Sequence, residues 1–286
     1  MKKSIYLFAL SLLCFACSKN ITEESSIDTT TLKGDEIVTI TFSPYSITSM
    51  TRGTETPQTI DAFNRLDVWI INGTDTIDIH QQKEDQNYGS LSVSLNKTKT
   101  YSLIAVAHKN TDTTTLREDT ISFPENKIKE TLFYKTSFSP ATSTNLSCVM
   151  DRIVGMFRLE TTDSIRSEVK KIKFTVYNTG CKFNINGTTG NFIDKENTIE
   201  VKVRNSDGSA TFNTYIMAND MKSTSYFDIK VEALTNDDRV IEERLFEEVP
   251  IKDNYKTTYQ GTLLVTTPMN VSFTTYDWDS FETVNF

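Results

Sequence analysis

The sequence predicts an all-β protein built of antiparallel β-sandwiches. Its 286 residues include 43 threonines but only 10 glycines and 6 prolines, and threonine favours pleated strands over helices. Apolar and polar residues alternate in many short stretches, as at 226–234, where Phe227, Ile229 and Val231 share one face and Asp228 and Lys230 share the other. Such stretches indicate sheets with one buried and one solvated face.

The predicted strands follow one another from residue 36 to residue 276, separated by turn-forming residues at 72–73, 186–187, 207–208 and 236–238. In order, they are 36–43, 65–72, 90–95, 101–107, 153–160, 170–177, 198–203, 210–217, 226–234, 257–265 and 271–276. Single helical turns are predicted at 57–64 and 125–131. A stretch of about 250 residues is long for one sandwich, so we expect two, an N-terminal one at 36–162 and a C-terminal one at 163–286.

The first 16 residues are typical of an export signal that is removed. Lys2 and Lys3 precede an apolar run too short to span a bilayer, and Ala16 lies directly before Cys17. A cysteine at this point resembles a bacterial lipobox, although Cys14 stands where a leucine is usual. We therefore expect lipidation of Cys17; the alternative is an ordinary signal followed by an unrelated cysteine.

The expected lipid determines how the chain meets its surroundings. Residues 17–35 are polar and aperiodic, so we expect a flexible tether between the lipid and the folded part. The chain then reaches the membrane through the lipid only. Its 38 acidic residues outnumber its 30 basic ones, and the net charge of −8 argues against a nucleic-acid partner.

Few residues could support catalysis or hold a metal. The only histidines, His80 and His108, each lack a second ligand at suitable spacing, and none of the common nucleophile, metalloprotease or phosphate-loop motifs occurs. We expect no enzymatic activity, no metal site and no cofactor. Cys148 and Cys181 allow two interpretations, a disulfide in an oxidising compartment or two separate buried thiols.

Three segments together resemble the fimbrial anchor and fimbrillin lipoproteins of the FimB/Mfa type. They are FNRLDVWII at 63–71, MDRIVGMF at 150–157 and VPIKDNYKTTYQGTLL at 249–264, and TRG at 51–53 precedes them. The resemblance covers nearly the whole mature chain. It implies two transthyretin-like β-sandwich domains, a location in the outer membrane, and a role in building or tethering adhesive fimbriae. We expect the lipid-anchored chain to face the cell surface; the alternative is that it faces the periplasm.

The function expected from this resemblance is that of a fimbrial anchor or assembly subunit. Its partners would be other fimbrial subunits, bound by β-strand complementation, in which an extended segment of one protein pairs with an open sheet edge of another. In shaft subunits a protease cuts after an arginine and removes the first strand, and here Arg52 and Gly53 match that point. An uncut Arg52 indicates an anchor, whereas a cut one indicates a polymerising shaft or tip subunit.

Two further expectations accompany the resemblance. An Asp followed by Ser or Thr and then by Ile or Thr is similar to the O-glycosylation acceptor of the bacteria that make such fimbriae, and it occurs at Thr29, Thr76, Thr113, Thr120 and Ser164. An adhesion ligand of host or bacterial origin is also compatible with this role. The remaining alternative is a surface glycan-binding lipoprotein, which Trp69 disfavours because it lies in an apolar strand.

Overall fold

A computed structural model describes residues 34–44, 59–202 and 204–263 of the chain, and the main chain of 270–274. Within these residues the protein is all-β, as predicted, with 17 strands and two single 3-10 turns. The strands are β1 (Asp35–Pro44), β2 (Arg65–Asn72), β3 (Asp75–Gln82), β4 (Ser90–Asn96), β5 (Tyr101–His108), β6 (Thr115–Arg117), β7 (Thr120–Ser122), β8 (Thr131–Phe138), β9 (Asn145–Arg152), β10 (Gly155–Thr161), β11 (Lys171–Asn184), β12 (Thr189–Glu200), β13 (Thr211–Ile216), β14 (Ser225–Leu234), β15 (Val240–Ile251), β16 (Lys256–Gly261) and β17 (Asn270–Thr274).

The first sheet has seven strands in the order β3-β2-β5-β8-β9-β1-β4. Alternate residues of six of these strands meet in one buried cluster, which includes Ile40, Val68, Leu95, Leu103 and Met150. Because strands from both ends of the order share this cluster, the sheet curves around it. Burial of these side chains contributes roughly 1.5–3 kcal/mol each and fixes the register, since a one-residue slip would turn them to solvent.

Two sheets follow in the second half of the chain. One has four strands in the order β13-β10-β16-β17, and the other runs β15-β14-β11-β7-β6, with β12 paired to the other edge of β11. A second buried cluster is formed between them, with Phe157 contacting Phe174, Phe246 and Tyr259 at ring centroid distances of 5.9, 5.7 and 5.4 Å. The packing of this cluster therefore joins strands of both sheets.

The hairpin β6–β7 connects the two halves of the described chain. It lies in the sequence between β5 and β8 of the first sheet, but β7 pairs with residues 182–184 of β11. A third buried cluster lies beneath it, where Phe133 of β8 meets Phe183 of β11 at 4.8 Å between ring centroids. The hairpin thus adds residues of the N-terminal half to a sheet of the C-terminal half.

The predicted boundary at 162/163 and the two transthyretin-like sandwiches remain predictions. Strand β10, which the predicted boundary assigns to the first sandwich, pairs with β13 and β16 of the second half. The predicted helical turns correspond to 3-10 turns at Ile60–Ala62 and Pro124–Asn126. Within the described ranges, no helix is long and apolar enough to cross a membrane.

Candidate strand-docking edge

Strand β1 occupies an interior position in the first sheet, between β4 and β9. It pairs antiparallel with β4, Ile40 facing Leu91, and parallel with β9, Phe42 facing Cys148. Val38, Ile40 and Phe42 point into the core and are 0%, 0% and 5% exposed, whereas Ile37, on the opposite face, is 50% exposed. Strand β1 is therefore held by main-chain hydrogen bonds on both sides and by three buried side chains.

Strand β4 forms one edge of this sheet and pairs only with β1 among the described residues. The hydrogen bonds Phe42 N–H to Gly89 O (2.9 Å) and Lys97 N–H to Gly34 O (3.2 Å) define which residues bond to β1. Main-chain groups alternate in direction along an antiparallel strand, so Leu91, Val93 and Leu95 bond to β1 and Ser92 and Ser94 point the other way. Ser92 and Ser94 thus direct main-chain N–H and C=O groups to the free edge.

The composition of β4 leaves this edge unprotected. Its sequence, SLSVSLN, has no charged residue and no proline, and its pairing with β1 has no register shift. Leu91, Val93 and Leu95 are at most 7% exposed, so the inner face is apolar while the outer face is serine. Exposed edges usually carry a charge, a proline or a bulge that prevents another strand from pairing, and β4 has none of these.

The other edge strands with described side chains have such protection. Strand β3 has Asp75, Asp78 and His80, the three-residue β6 has Arg117, β12 has four charged residues, and β15 has four glutamates and two register shifts. Strand β13 lacks charge, but the Lys195 ammonium of β12 donates to Tyr215 O at 2.9 Å, so its edge is partly occupied. On β4, Gln81 Nε2 donates to Ser90 O at 2.9 Å and Asn96 N–H donates to Tyr101 OH at 3.1 Å, so the open part of its edge lies at Ser92 and Ser94.

The predicted site residues are not brought together. Cys17, Thr29, Arg52 and Gly53 lie outside the described residues. Of the other predicted glycosylation positions, two are exposed, Thr76 on β3 and Ser164 in a loop, and two are half-buried, Thr113 in a loop and Thr120 on β7. The two exposed positions lie in different halves of the chain, and O-glycosylation at any of the four stays a prediction.

Both remaining cysteines are free, buried thiols in the structure. Cys148 packs in the first core cluster, where burial raises the pKa of its thiol to about 11. Cys181 lies on β11, where Asn191 contacts its sulfur at 2.9 Å through Nδ2 and at 3.0 Å through its carbonyl oxygen. The two thiols thus sit in separate packing environments in the structure, and the disulfide state of the protein stays a prediction.

The structure joins the two histidines that the sequence analysis treats as isolated. The buried carboxylate of Asp67 contacts His80 Nδ1 at 2.8 Å and His108 Nε2 at 2.9 Å, and it accepts hydrogen bonds from the N–H and hydroxyl of Thr114 at 2.7 and 2.6 Å. Burial alone would raise the pKa of Asp67, but the bonds from His108, His80 and Thr114 hold it well below its usual value. The hydrogen bond to Asp67 raises the pKa of His80.

This cluster links strands β2, β3 and β5 of the first sheet. Asp67, His108 and Thr114 are all at most 1% exposed, whereas the His80 side chain is 32% exposed. A sequence signal for part of it exists, because a hairpin closed at Asn72-Gly73 places Asp67 opposite His80. Trp69, on the same strand, is 2% exposed and cannot form an exposed platform for sugars.

No family model and no curated protein matches the chain. A candidate cell adhesion protein from Bacteroides eggerthii DSM 20697 is similar in structure, with a TM-score of 0.50 and 11% identity over 87% of this chain and 98% of that one. For the fimbrial anchor protein Mfa2 from Porphyromonas gingivalis, the TM-score is 0.46 and the sequence identity is 10%, over 79% of this chain and 90% of that one. For a candidate polysaccharide-binding protein from Bacteroides thetaiotaomicron VPI-5482, the TM-score is 0.47 and the sequence identity is 8%, over 83% of this chain and 95% of that one.

The structural neighbours thus include a fimbrial anchor protein and a candidate adhesion protein, and the likeness with a TM-score of 0.50 shows a shared fold with the candidate adhesion protein. At identities near 10% a shared fold is what the likeness shows, and function has to be argued from the residues of this chain.

Proposed function

We propose that this chain is a non-enzymatic, lipid-anchored fimbrial anchor or assembly subunit at the bacterial cell surface, and that it binds a partner subunit through the free edge of β4. The observation that carries the proposal is the unprotected edge itself. Ser92 and Ser94 present main-chain groups there that no other described strand pairs with, beside a row of buried leucine and valine side chains. An extended segment laid along β4 would satisfy the main-chain groups and extend the apolar row.

The energy available at this edge suits a strand-sized partner. Ser92 and Ser94 together offer two donors and two acceptors, and each hydrogen bond contributes about 0.5–1.5 kcal/mol net. Each apolar side chain that the partner buries beside Leu91, Val93 and Leu95 adds roughly 1.5–3 kcal/mol. We therefore expect the partner segment to alternate apolar and polar residues over about five to seven positions. Specificity would come from the apolar positions, because the main-chain bonds are the same for any sequence.

The alternative of a polymerising shaft or tip subunit is supported by the position of β1. This strand lies before Arg52 in the sequence, and its removal would open a groove between β4 and β9 along the whole first core cluster. Cleavage after Arg52 would also separate the folded part from a lipid on Cys17. Lipidation and an intact Arg52-Gly53 bond therefore belong to the anchor, and their loss belongs to the shaft or tip subunit.

Mass spectrometry of the protein taken from native cell envelopes distinguishes these roles. The anchor is expected to carry a lipid on Cys17 and an uncut Arg52-Gly53 bond. A chain that starts at Gly53 would contradict the anchor and support the polymerising subunit.

Strand docking is tested with a matched pair of variants at one position. Ser92→Pro removes the N–H that points to the free edge while the bonds to β1 stay, whereas Ser92→Ala keeps that N–H. We expect Ser92→Pro to lower partner recovery from cross-linked envelopes by about tenfold or more, the equivalent of 1.4 kcal/mol, and Ser92→Ala to leave it unchanged. Equal recovery by two variants of equal melting temperature would refute docking at β4.

A further inference from the structure

A cavity of about 420 Å³ opens where the two halves of the described chain meet. The end of β9 contributes Asp151 and Arg152, the loop after β13 contributes Met221 and Lys222, and 252–255 form the remaining wall. The volume lies in the range of sites for small molecules. The cavity is distinct from the free edge of β4, which contributes no lining residue, so a function here is independent of strand docking.

The walls of this cavity carry more positive than negative charge, although the chain as a whole is acidic. Arg152, Lys222 and Lys252 line it, together with Asp151 and Asp253. Lys222 is exposed and Lys252 is half-exposed, and the contact shown for the Lys252 ammonium is with the ring of Tyr255. Two ammonium groups at one opening make a site that attracts an anion.

A rigid polar wall lies behind these lysines. The Arg152 guanidinium donates to Glu130 Oε1 at 2.8 Å and to Asn254 Oδ1 at 2.7 Å, and Glu130 is also bound by the Lys109 ammonium at 2.6 Å. Glu130 and Arg152 are 1% and 8% exposed, so these contacts are held by the packing around them. Asn254, whose Oδ1 accepts from Arg152, also lines the cavity, and its side-chain amide donates to no described residue.

Asp253 supplies a different kind of polar group. It is 8% exposed, and main-chain N–H groups of Ala218 and Lys222 donate to its carboxyl group, yet its Oδ1 has no hydrogen-bond partner among the described residues. Burial raises the pKa of Asp253 to about 7, so near neutral pH the group is protonated in part of the molecules. A hydroxyl group can form a hydrogen bond with both the protonated and the ionised carboxyl, because a hydroxyl donates and accepts. An amide N–H only donates.

We propose that this cavity binds a sugar acid, a saccharide unit that carries a carboxylate beside hydroxyl groups. The carboxylate pairs with the ammonium groups of Lys222 and Lys252, and neighbouring hydroxyls bond with Asp253 and the amide of Asn254. The ring of Tyr255 forms an apolar part of the lining, and Lys252 Nζ lies 4.4 Å from its centroid. A simple carboxylate would leave Asp253 unmatched, and a neutral sugar would leave the lysines unmatched.

The experiment titrates the full-length protein, in detergent, with glucuronic acid, glucose, acetate and the dipeptide Gly-Ala, by calorimetry at pH 7. We expect glucuronic acid to bind at least tenfold more tightly than the other three. The double variant Lys222→Gln/Lys252→Gln should weaken glucuronic acid binding by at least about tenfold, which corresponds to 1.4 kcal/mol. Lys202→Gln is the matched control, since Lys202 is 75% exposed, pairs with Glu200 and lies away from the cavity.

Each other result overturns the proposal. No heat with glucuronic acid at tens of millimolar excludes a sugar-acid site. Equal binding of acetate shows a simple anion site, and tighter binding of Gly-Ala shows a site for a peptide carboxyl terminus. An equal loss in Lys202→Gln shows a general charge effect. Melting temperatures of both variants near that of the unaltered protein confirm that they fold.

Discussion

Asp253 makes the stability of the fold depend on pH in a way that one substitution can isolate. The pKa of this carboxyl is 3.8 when exposed and about 7 in the folded protein. Because the folded value is the higher one, the folded state holds a proton between pH 4 and pH 7 that the unfolded state has lost. The contribution of this group to the free energy of unfolding therefore falls as pH rises through that window.

The size of the effect follows from the two pKa values. A difference of about three units, at about 1.4 kcal/mol per unit, gives up to about 4 kcal/mol of lost stability by pH 8. Asp253→Asn keeps the shape of the side chain and an oxygen for the N–H groups of Ala218 and Lys222, but it cannot ionise. The variant is expected to match the unaltered protein at pH 4 and to exceed it by up to about 4 kcal/mol at pH 8.

Urea unfolding of both proteins at pH 4, 6 and 8, followed by circular dichroism, measures this difference directly. Comparison at each pH removes the contributions of all other titrating groups. A difference between the two proteins that stays constant from pH 4 to pH 8 would refute the assignment of a buried, protonated carboxyl at this position. Asp207→Asn is a control, because Asp207 is exposed and its pKa is lowered by Ser209.

Three further outcomes are expected. Ile40→Ala should lower the free energy of unfolding by about 2–5 kcal/mol, because Ile40 is fully buried. Thr41→Ala, on the exposed face of β1, should change it by less than about 0.5 kcal/mol, and urea denaturation of both variants tests this. Asp67→Ala should cost about 3–5 kcal/mol in the same assay, because His108 and Thr114 lose their buried acceptor; a cost below about 1 kcal/mol would contradict that role. Cys148 and Cys181 should both react with a thiol reagent in denaturant without reductant and react slowly in the folded protein; failure of both to react in denaturant would indicate a disulfide.

The sequence predicts several strands in which one face is buried and the other is wet, although not β9, which alternates in the same way. Strand β14 is such a case, since Phe227, Ile229 and Val231 are buried and Asp228 is exposed. Strand β3 escapes prediction because nearly all of its residues are exposed on an edge, so no apolar alternation marks it. Strand β15 escapes for a related reason, because its glutamates face solvent along most of its length.

Pairing between distant strands is what the sequence leaves open. Once β3 is known, the turn at Asn72-Gly73 accounts for its pairing with β2 and for Asp67 facing His80, because a hairpin fixes its own register. Nothing in the residues of β1 indicates that it pairs parallel with β9, about a hundred positions further on. The free edge of β4 depends on that long-range order, so only the structure reveals it.

The cavity at the junction of the two halves has the same origin. Arg152 and Asn254 are a hundred residues apart in the sequence and meet because β9 and the loop before β16 fold together. Both residues lie in segments that carry the family resemblance, 150–157 and 249–264, but neither segment indicates that they meet. The raised pKa of Asp253 arises from burial that no local pattern records. Sites built from several strands in this way are visible only once the chain is folded.

The β6–β7 hairpin also has a mechanical consequence. A protein that tethers a filament has to transmit tension, and a simple linker between two halves would stretch before either half resisted. Here a hairpin from one half pairs with a sheet of the other, so we expect tension to reach both halves at once. The described residues should then unfold together rather than one half after the other.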